Sequence, residues 1–187
     1  LQKAGRKGGR ILFLAPSIAL VGQTMRSWAN QSRLPLICAV VCSDSKASHT
    51  EEDIWESSLK DLPYPASTDS DVLYSQLKDA DDGENLVVIF STYQSIQVVV
   101  DAQVKGLPEF DIVFCDEAHR TTGAVGPKEE MTEFVKVHDN SLIHAKKRLY
   151  MTATPRIYGD RIKKMAKADS YVVSSMDDED TYGPEFH

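Results

Sequence analysis

Two carboxylates, a histidine and an arginine follow directly on an apolar run in the stretch VFCDEAHRTTG, Val113 to Gly123. Neighbouring residues of an extended chain point in different directions, so Asp116 and Glu117 cannot simply duplicate each other. One acid can hold a magnesium ion through its water shell while the other orients and deprotonates an attacking water. That division of labour suits phosphoryl transfer, where positioning and charge neutralisation supply most of the catalysis. The plain alternative is a solvated loop start, with Asp116 capping the next turn.

Placing these groups is the task of the elements around them. Short apolar runs alternate with segments of helical period, which predicts an α/β domain with a mainly parallel sheet. Strands are expected at Arg10 to Ala15, Leu36 to Val41, Leu86 to Phe90, Asp111 to Cys115, Arg148 to Thr152 and Tyr171 to Ser174. Helices are expected from Ser17 to Ala29 with Ser17 as cap, near Asp71 to Asp79, from a hydroxyl cap within Ser91 to Ser95 toward Val100, from Glu129 to Val137, and near Asp160 to Ala168. The polar segment containing Pro63 and Pro65 reads as a surface excursion, and Asp177 to Asp180 as a solvated acidic stretch. Ligands of a parallel sheet bind beyond the carboxyl ends of its strands. The strand ending at Cys115 therefore delivers Asp116 and Glu117 to the ligand edge.

Composition narrows the classes. The 187 residues suffice for one domain with a core, and 42% hydrophobic with 26% charged residues is ordinary for a globular chain. A net charge of -7 argues against nucleic-acid binding by a broad basic surface, but not against a few local phosphate contacts. Arg161, Lys163, Lys164 and Lys167 form one basic helical patch, which reads either as a backbone contact or as a solvated face. Three cysteines make no disulfide framework, and Cys38 and Cys42 read as plain buried thiols in a reducing compartment. The amino end imitates a secretory signal, yet Pro16 and Ser17 break its apolar run and no methionine precedes it. No run is long and apolar enough for a transmembrane helix, and a cytoplasmic location is expected.

Asp116, Glu117, Ala118 and His119 spell DEAH, and the segment resembles the Walker B box of superfamily-two helicases and translocases. The likeness extends over nearly the whole chain. Leu14 to Thr24, LAPSIALVGQT, is similar to the family's motif Ia; STYQS, Ser91 to Ser95, to its next backbone-contacting motif; and TATP, Thr152 to Pro155, to motif III. The resemblance implies a three-layer, mainly parallel RecA-like (P-loop NTPase) sheet with helices on both faces. It implies ATP and Mg2+ as cofactors, with Asp116 as the magnesium residue and Glu117 as general base for water attack on the γ-phosphate. His119 would couple the nucleotide state to Thr152 and Thr154. Nucleic-acid contacts would fall to Pro16, Ser17 and Gln23 of the first motif and to Thr92, Tyr93 and Gln94 of the second, partly through helix N-termini. For His119 the alternative is a hydrogen-bonded structural histidine, and for the hydroxyl residues ordinary capping.

No G-x-x-x-x-G-K-[ST] is present, and GRKGGR, Gly5 to Arg10, reads as a turn. The resemblance therefore implies a first motor domain over residues 1–175 that is truncated at both ends. Its P-loop would lie upstream, and residues 176–187 would begin an acidic linker toward a second RecA-like domain. Such a piece alone is expected to bind ATP poorly and to hydrolyse it negligibly. DEAHRTTG, LYMTATPRIYGD and MDDEDTYGPEF resemble the helicase segment of single-chain type I and type III restriction enzymes. That points to a duplex-DNA translocase coupled to nuclease or methyltransferase regions in a restriction or phage-defence protein. An RNA helicase or RNA-sensing ATPase, and a non-catalytic nucleic-acid-binding module, remain the other readings.

Overall fold

A computed structural model describes residues 8–43, 66–80, 84–125, 133–168 and 172–184. Five parallel strands form the sheet: β1 (Gly9–Ala15), β2 (Leu36–Val41), β3 (Leu86–Thr92), β4 (Ile112–Cys115) and β6 (Arg148–Tyr150), in the order β2-β3-β1-β4-β6. The run that imitates a secretory signal is the central strand β1, buried along its whole length.

Alternation along the strands sorts the core into two layers. Ile11, Phe13 and Ala15 of β1 join Val88 and Phe90 of β3 on one face, where α1 (Ile18–Gln31) contributes Val21 and Met25. Leu12, Leu14, Val87 and Ile89 point to the other, where α2 (Ser70–Leu77) and α3 (Ile96–Val104) bring Leu73, Leu77, Val99 and Val100. Both faces are covered, as the short all-apolar strands require. Trp28 seats α1 on its layer, with ring centroids 5.7 Å from each of Phe13, Phe90 and Phe114.

Ser17 caps α1 as expected, its Oγ accepting from the Leu20 amide. The hydroxyl cap expected for α3 is not formed. A 3-10 turn, Tyr93–Ser95, intervenes, and Thr92 Oγ1 donates to Ser95 Oγ instead of to the helix end. Of the helix expected from Glu129 to Val137, residues 129–132 lie outside the described residues. The remainder is a turn followed by the 3-10 segment Lys136–His138, too short to show a packed helical face. The excursion with Pro63 and Pro65 also lies outside the described residues.

The strand expected near Tyr171 is β7 (Val172–Ser174). It pairs antiparallel with β5 (Gly123–Val125) in a separate two-stranded sheet. β5 is not among the strands expected from the sequence, because three residues carry no periodic signal. Beyond α4 (Asp160–Ala168), the acidic stretch forms α5 (Glu179–Tyr182), capped by Asp178. Its carboxylates stay at the surface, but Tyr182 turns inward against His138 and Tyr150, so the expected solvated segment is anchored.

Candidate active site

All five strands are parallel, so their carboxyl ends share one edge. The β4 backbone continues one rung past the strand, Asp116 N donating to Leu14 O of β1 at 2.9 Å. Glu117 then adopts φ 48 and ψ 48, the one left-handed non-glycine residue among those described. That conformation costs about 1–3 kcal/mol and is found where surrounding structure holds it in place. Here the holding contacts are explicit. Ala118 N donates to Met151 O, and Ala118–Thr121 closes a 3-10 turn in which Arg120 N reaches Glu117 O.

The sharp turn brings Glu117 and His119 to the same side. Glu117 Oε2 lies 3.2 Å from His119 Nδ1. The same nitrogen is 3.0 Å from Thr152 Oγ1 and 3.3 Å from Thr154 Oγ1. Thr152 Oγ1 also reaches Glu117 Oε2 at 3.5 Å and accepts from the Thr154 amide at 3.2 Å. Four of the residues singled out in the sequence thus meet at the ends of β4 and β6.

Asp116 stands beside them with its Oδ1 accepting from the Glu117 amide at 3.0 Å. Burial pushes its carboxyl above the ordinary value; the Glu117 amide opposes that shift and the Glu117 charge adds to it. A cation beside a half-buried carboxylate of this kind would favour its ionised form, and its hard oxygen suits Mg2+. No group of three or more His, Cys, Asp or Glu side chains that could hold a metal occurs among the described residues. One carboxylate completed by phosphate and water oxygens is the usual protein share of a nucleotide-bound Mg2+.

On the other side of β1, Ala15 pairs with Thr92, so Pro16 and Ser17 lie next to the end of β3. Gln94 is exposed and its Nε2 donates to Pro16 O at 3.5 Å, tying the two motifs together. Gln23 is exposed on α1. Three of the residues expected at the nucleic acid, Pro16, Thr92 and Tyr93, are buried. Thr92 is buried with its hydroxyl directed to Ser95, and Tyr93 is fully enclosed, so neither side chain reaches a surface. Tyr93 stacks on Phe134 and donates its hydroxyl to Asp116 O at 2.9 Å. It holds the backbone of the acid turn. Of the basic patch, Lys163 pairs with Asp177 at 2.7 Å, while Arg161 and Lys164 are exposed; the Lys167 side chain lies outside the description. Cys38 and Cys42 pack in the apolar layer under α1, and burial raises both thiols, to about 11 and about 12.

A second group, unseen in the sequence, supports the turn from behind. His138 Nε2 lies 3.2 Å from Thr121 O and Nδ1 lies 2.9 Å from the Tyr150 hydroxyl. A carbonyl can only accept, so Nε2 carries the proton and Nδ1 receives the Tyr150 proton. Burial accordingly lowers the His138 pKa to about 4. With an unfolded value of 6.5, the unfolded chain binds more protons between these two values, so stability is full above pH 6.5 and is lost as pH falls toward 4. The loss between pH 7 and pH 5 should be about 2 kcal/mol from this residue. Urea denaturation at the two pH values checks it: His138→Gln should remove most of that difference, and an unchanged slope would assign the acid sensitivity elsewhere.

A family model described as the res subunit of type III restriction enzymes matches residues 1–157. Among solved structures, a nuclease-deletion mutant of the Type ISP restriction-modification enzyme LlaGI, in complex with a DNA substrate mimic, is 36% identical. It superposes with a TM-score of 0.68 over 97% of this chain. The ATP-dependent Type ISP restriction-modification enzyme LlaBIII bound to DNA is 40% identical, with a TM-score of 0.70 over 94% of this chain. This chain spans 13% and 11% of the lengths of those two chains. No curated protein matches.

Proposed function

Because this chain belongs to the family of type III restriction enzyme res subunits, with the RecA-like α/β sheet of that family's helicase domain, we propose that it serves an ATP-dependent, duplex-DNA-translocating motor of a restriction system. One observation carries the reading. Glu117, His119, Thr152 and Thr154 converge within hydrogen-bond reach at the strand edge, beside a half-buried Asp116. The two similar enzymes are described as bound to DNA or to a DNA substrate mimic, and one as ATP-dependent.

In this reading Glu117 accepts the proton of the water that attacks the γ-phosphate. Its left-handed backbone presents the carboxylate beyond the sheet, and His119 and Thr152 fix its rotamer. Asp116 would hold Mg2+, and that ion, when bound, would neutralise charge on the phosphate oxygens. Thr152 and Thr154 link the acid turn to the end of β6. Ser17, the cap of α1, Gln23 on that helix and Gln94 would supply polar groups for a phosphate backbone, while Pro16 is buried and its carbonyl is engaged by Gln94. A second RecA-like domain and nuclease or methyltransferase regions would be its partners. Among the described residues no helix is long and apolar enough to cross a membrane. A motor that acts on duplex DNA in a restriction system would work in the cytoplasm.

Phosphate release by the full-length natural protein tests the reading. Duplex DNA should stimulate it about tenfold or more, and duplex RNA much less. Greater stimulation by RNA would transfer the domain to the RNA-dependent branch of the superfamily, and no hydrolysis with either polymer would leave a binding module.

A further inference from the structure

Tyr182 lies outside the LAPSIALVGQT, STYQS, DEAH and TATP segments, within the MDDEDTYGPEF stretch, and its hydroxyl ends a hydrogen-bond chain that runs into the DEAH turn. Thr121 is fully buried, and its Oγ1 donates to Ala118 O at 2.8 Å. A hydroxyl has one proton, so at the 3.0 Å contact between Thr121 Oγ1 and the Tyr182 hydroxyl it is Tyr182 that donates. The order is Tyr182 to Thr121 to Ala118, each bond polarising the next. Ala118 lies between Glu117 and His119, and its own amide is held by Met151 O.

The segment that carries Tyr182 is fastened at several points. β7 pairs with β5, which begins two residues after Thr121. Ser175 Oγ accepts from Tyr158 N, Met176 N donates to Arg156 O, and Asp177 pairs with Lys163. Asp178 caps α5, and Gly183 at φ 75 ends it, with its amide on Glu179 O. The Tyr182 ring meets His138 and Tyr150 edge-on, each at 4.9 Å. The strap thus spans from the residues after TATP to the back of the DEAH turn, and Tyr182 is its terminal contact.

We propose that Tyr182 is a positioning residue for the DEAH turn: through Thr121 and the Ala118 carbonyl it fixes the backbone that presents Glu117 and His119 to the nucleotide. The proposal rests on the ATPase reading only for its effect on turnover. Tyr182→Phe keeps the ring contacts and removes the donor. In the full-length protein kcat for ATP should fall about fivefold with KM unchanged, as expected for loss of one hydrogen bond that orients a group without touching substrate. Thr121→Val should produce a similar loss, and the double variant should be no worse than Thr121→Val alone, because both act through one chain. Additive losses, or kcat within about twofold of wild type in Tyr182→Phe, would overturn it. Amide exchange supplies a readout that needs no turnover. Residues 116–121 should exchange about tenfold faster in Tyr182→Phe while β2 is unchanged. Unchanged exchange at the turn would sink the proposal even in a protein that hydrolyses nothing, whereas faster exchange in such a protein would retain the strap and dispose of the ATPase reading alone.

Discussion

Glu117→Gln is expected to lower DNA-stimulated ATP turnover of the full-length protein about 10³-fold, equivalent to about 4 kcal/mol of barrier, with nucleotide affinity nearly unchanged. The size of the effect follows from what the substitution removes. Glutamine keeps the length, the planar head and one oxygen for Thr152 and His119, so the left-handed turn and its hydrogen bonds survive. What it lacks is a basic oxygen for the proton of an attacking water. Single-turnover hydrolysis, measured beside equilibrium binding of ATP with Mg2+, separates the two. Retained binding with abolished chemistry supports Glu117 as the base. Loss of binding instead would make Glu117 part of the ion site and shift the base to another group. Turnover within about tenfold of wild type would remove the base role altogether.

That prediction rests on a position legible in the sequence. An apolar run such as IVFC has one place in a doubly covered sheet, and the acids that follow must emerge at its carboxyl edge. The same logic located β1, β2 and β3, each a short and largely buried apolar run, whereas β6 before TATP is only partly covered, with Leu149 exposed. Contacts that depend on two distant segments left no such trace. Tyr93 sits in a motif whose resemblance implies nucleic-acid contact, but the side chain is buried because its ring fits against Phe134, and its hydroxyl serves Asp116. Nothing local to STYQS reveals a partner 41 residues later. His138 and Tyr182 lie just beyond segments that read as a plain helix, Glu129 to Val137, and a solvated acidic stretch, Asp177 to Asp180. Their roles appear only when β5 and β7 pair and bring α5 against the back of the turn. Periodicity reports what each element buries, and is silent on which hydroxyl meets which carbonyl across the fold.

Thr152 is where the largest remaining effect should appear. Its hydroxyl has one proton and two acceptors in reach, Glu117 Oε2 and, in one tautomer, His119 Nδ1. In one arrangement Thr152 donates to Glu117 and accepts from a protonated Nδ1. In the other it donates to an unprotonated Nδ1, and Glu117 loses that bond. The Thr154 amide donates to Thr152 Oγ1 in either case, tying the pair to the chain that leaves β6. A hydroxyl so placed would convert a change at the carboxylate into a change at the end of β6. Thr152→Val preserves the branched shape and abolishes both arrangements. DNA-stimulated turnover should fall about 30-fold, while unstimulated turnover falls no more than about threefold, since the base itself remains. His119→Gln should give a loss of the same kind, and the double variant should fall well short of the product of the two. Steady-state rates with and without duplex DNA decide the matter. Equal losses in both conditions would make Thr152 a support for Glu117 alone, and multiplicative losses in the double variant would mean that Thr152 and His119 act separately.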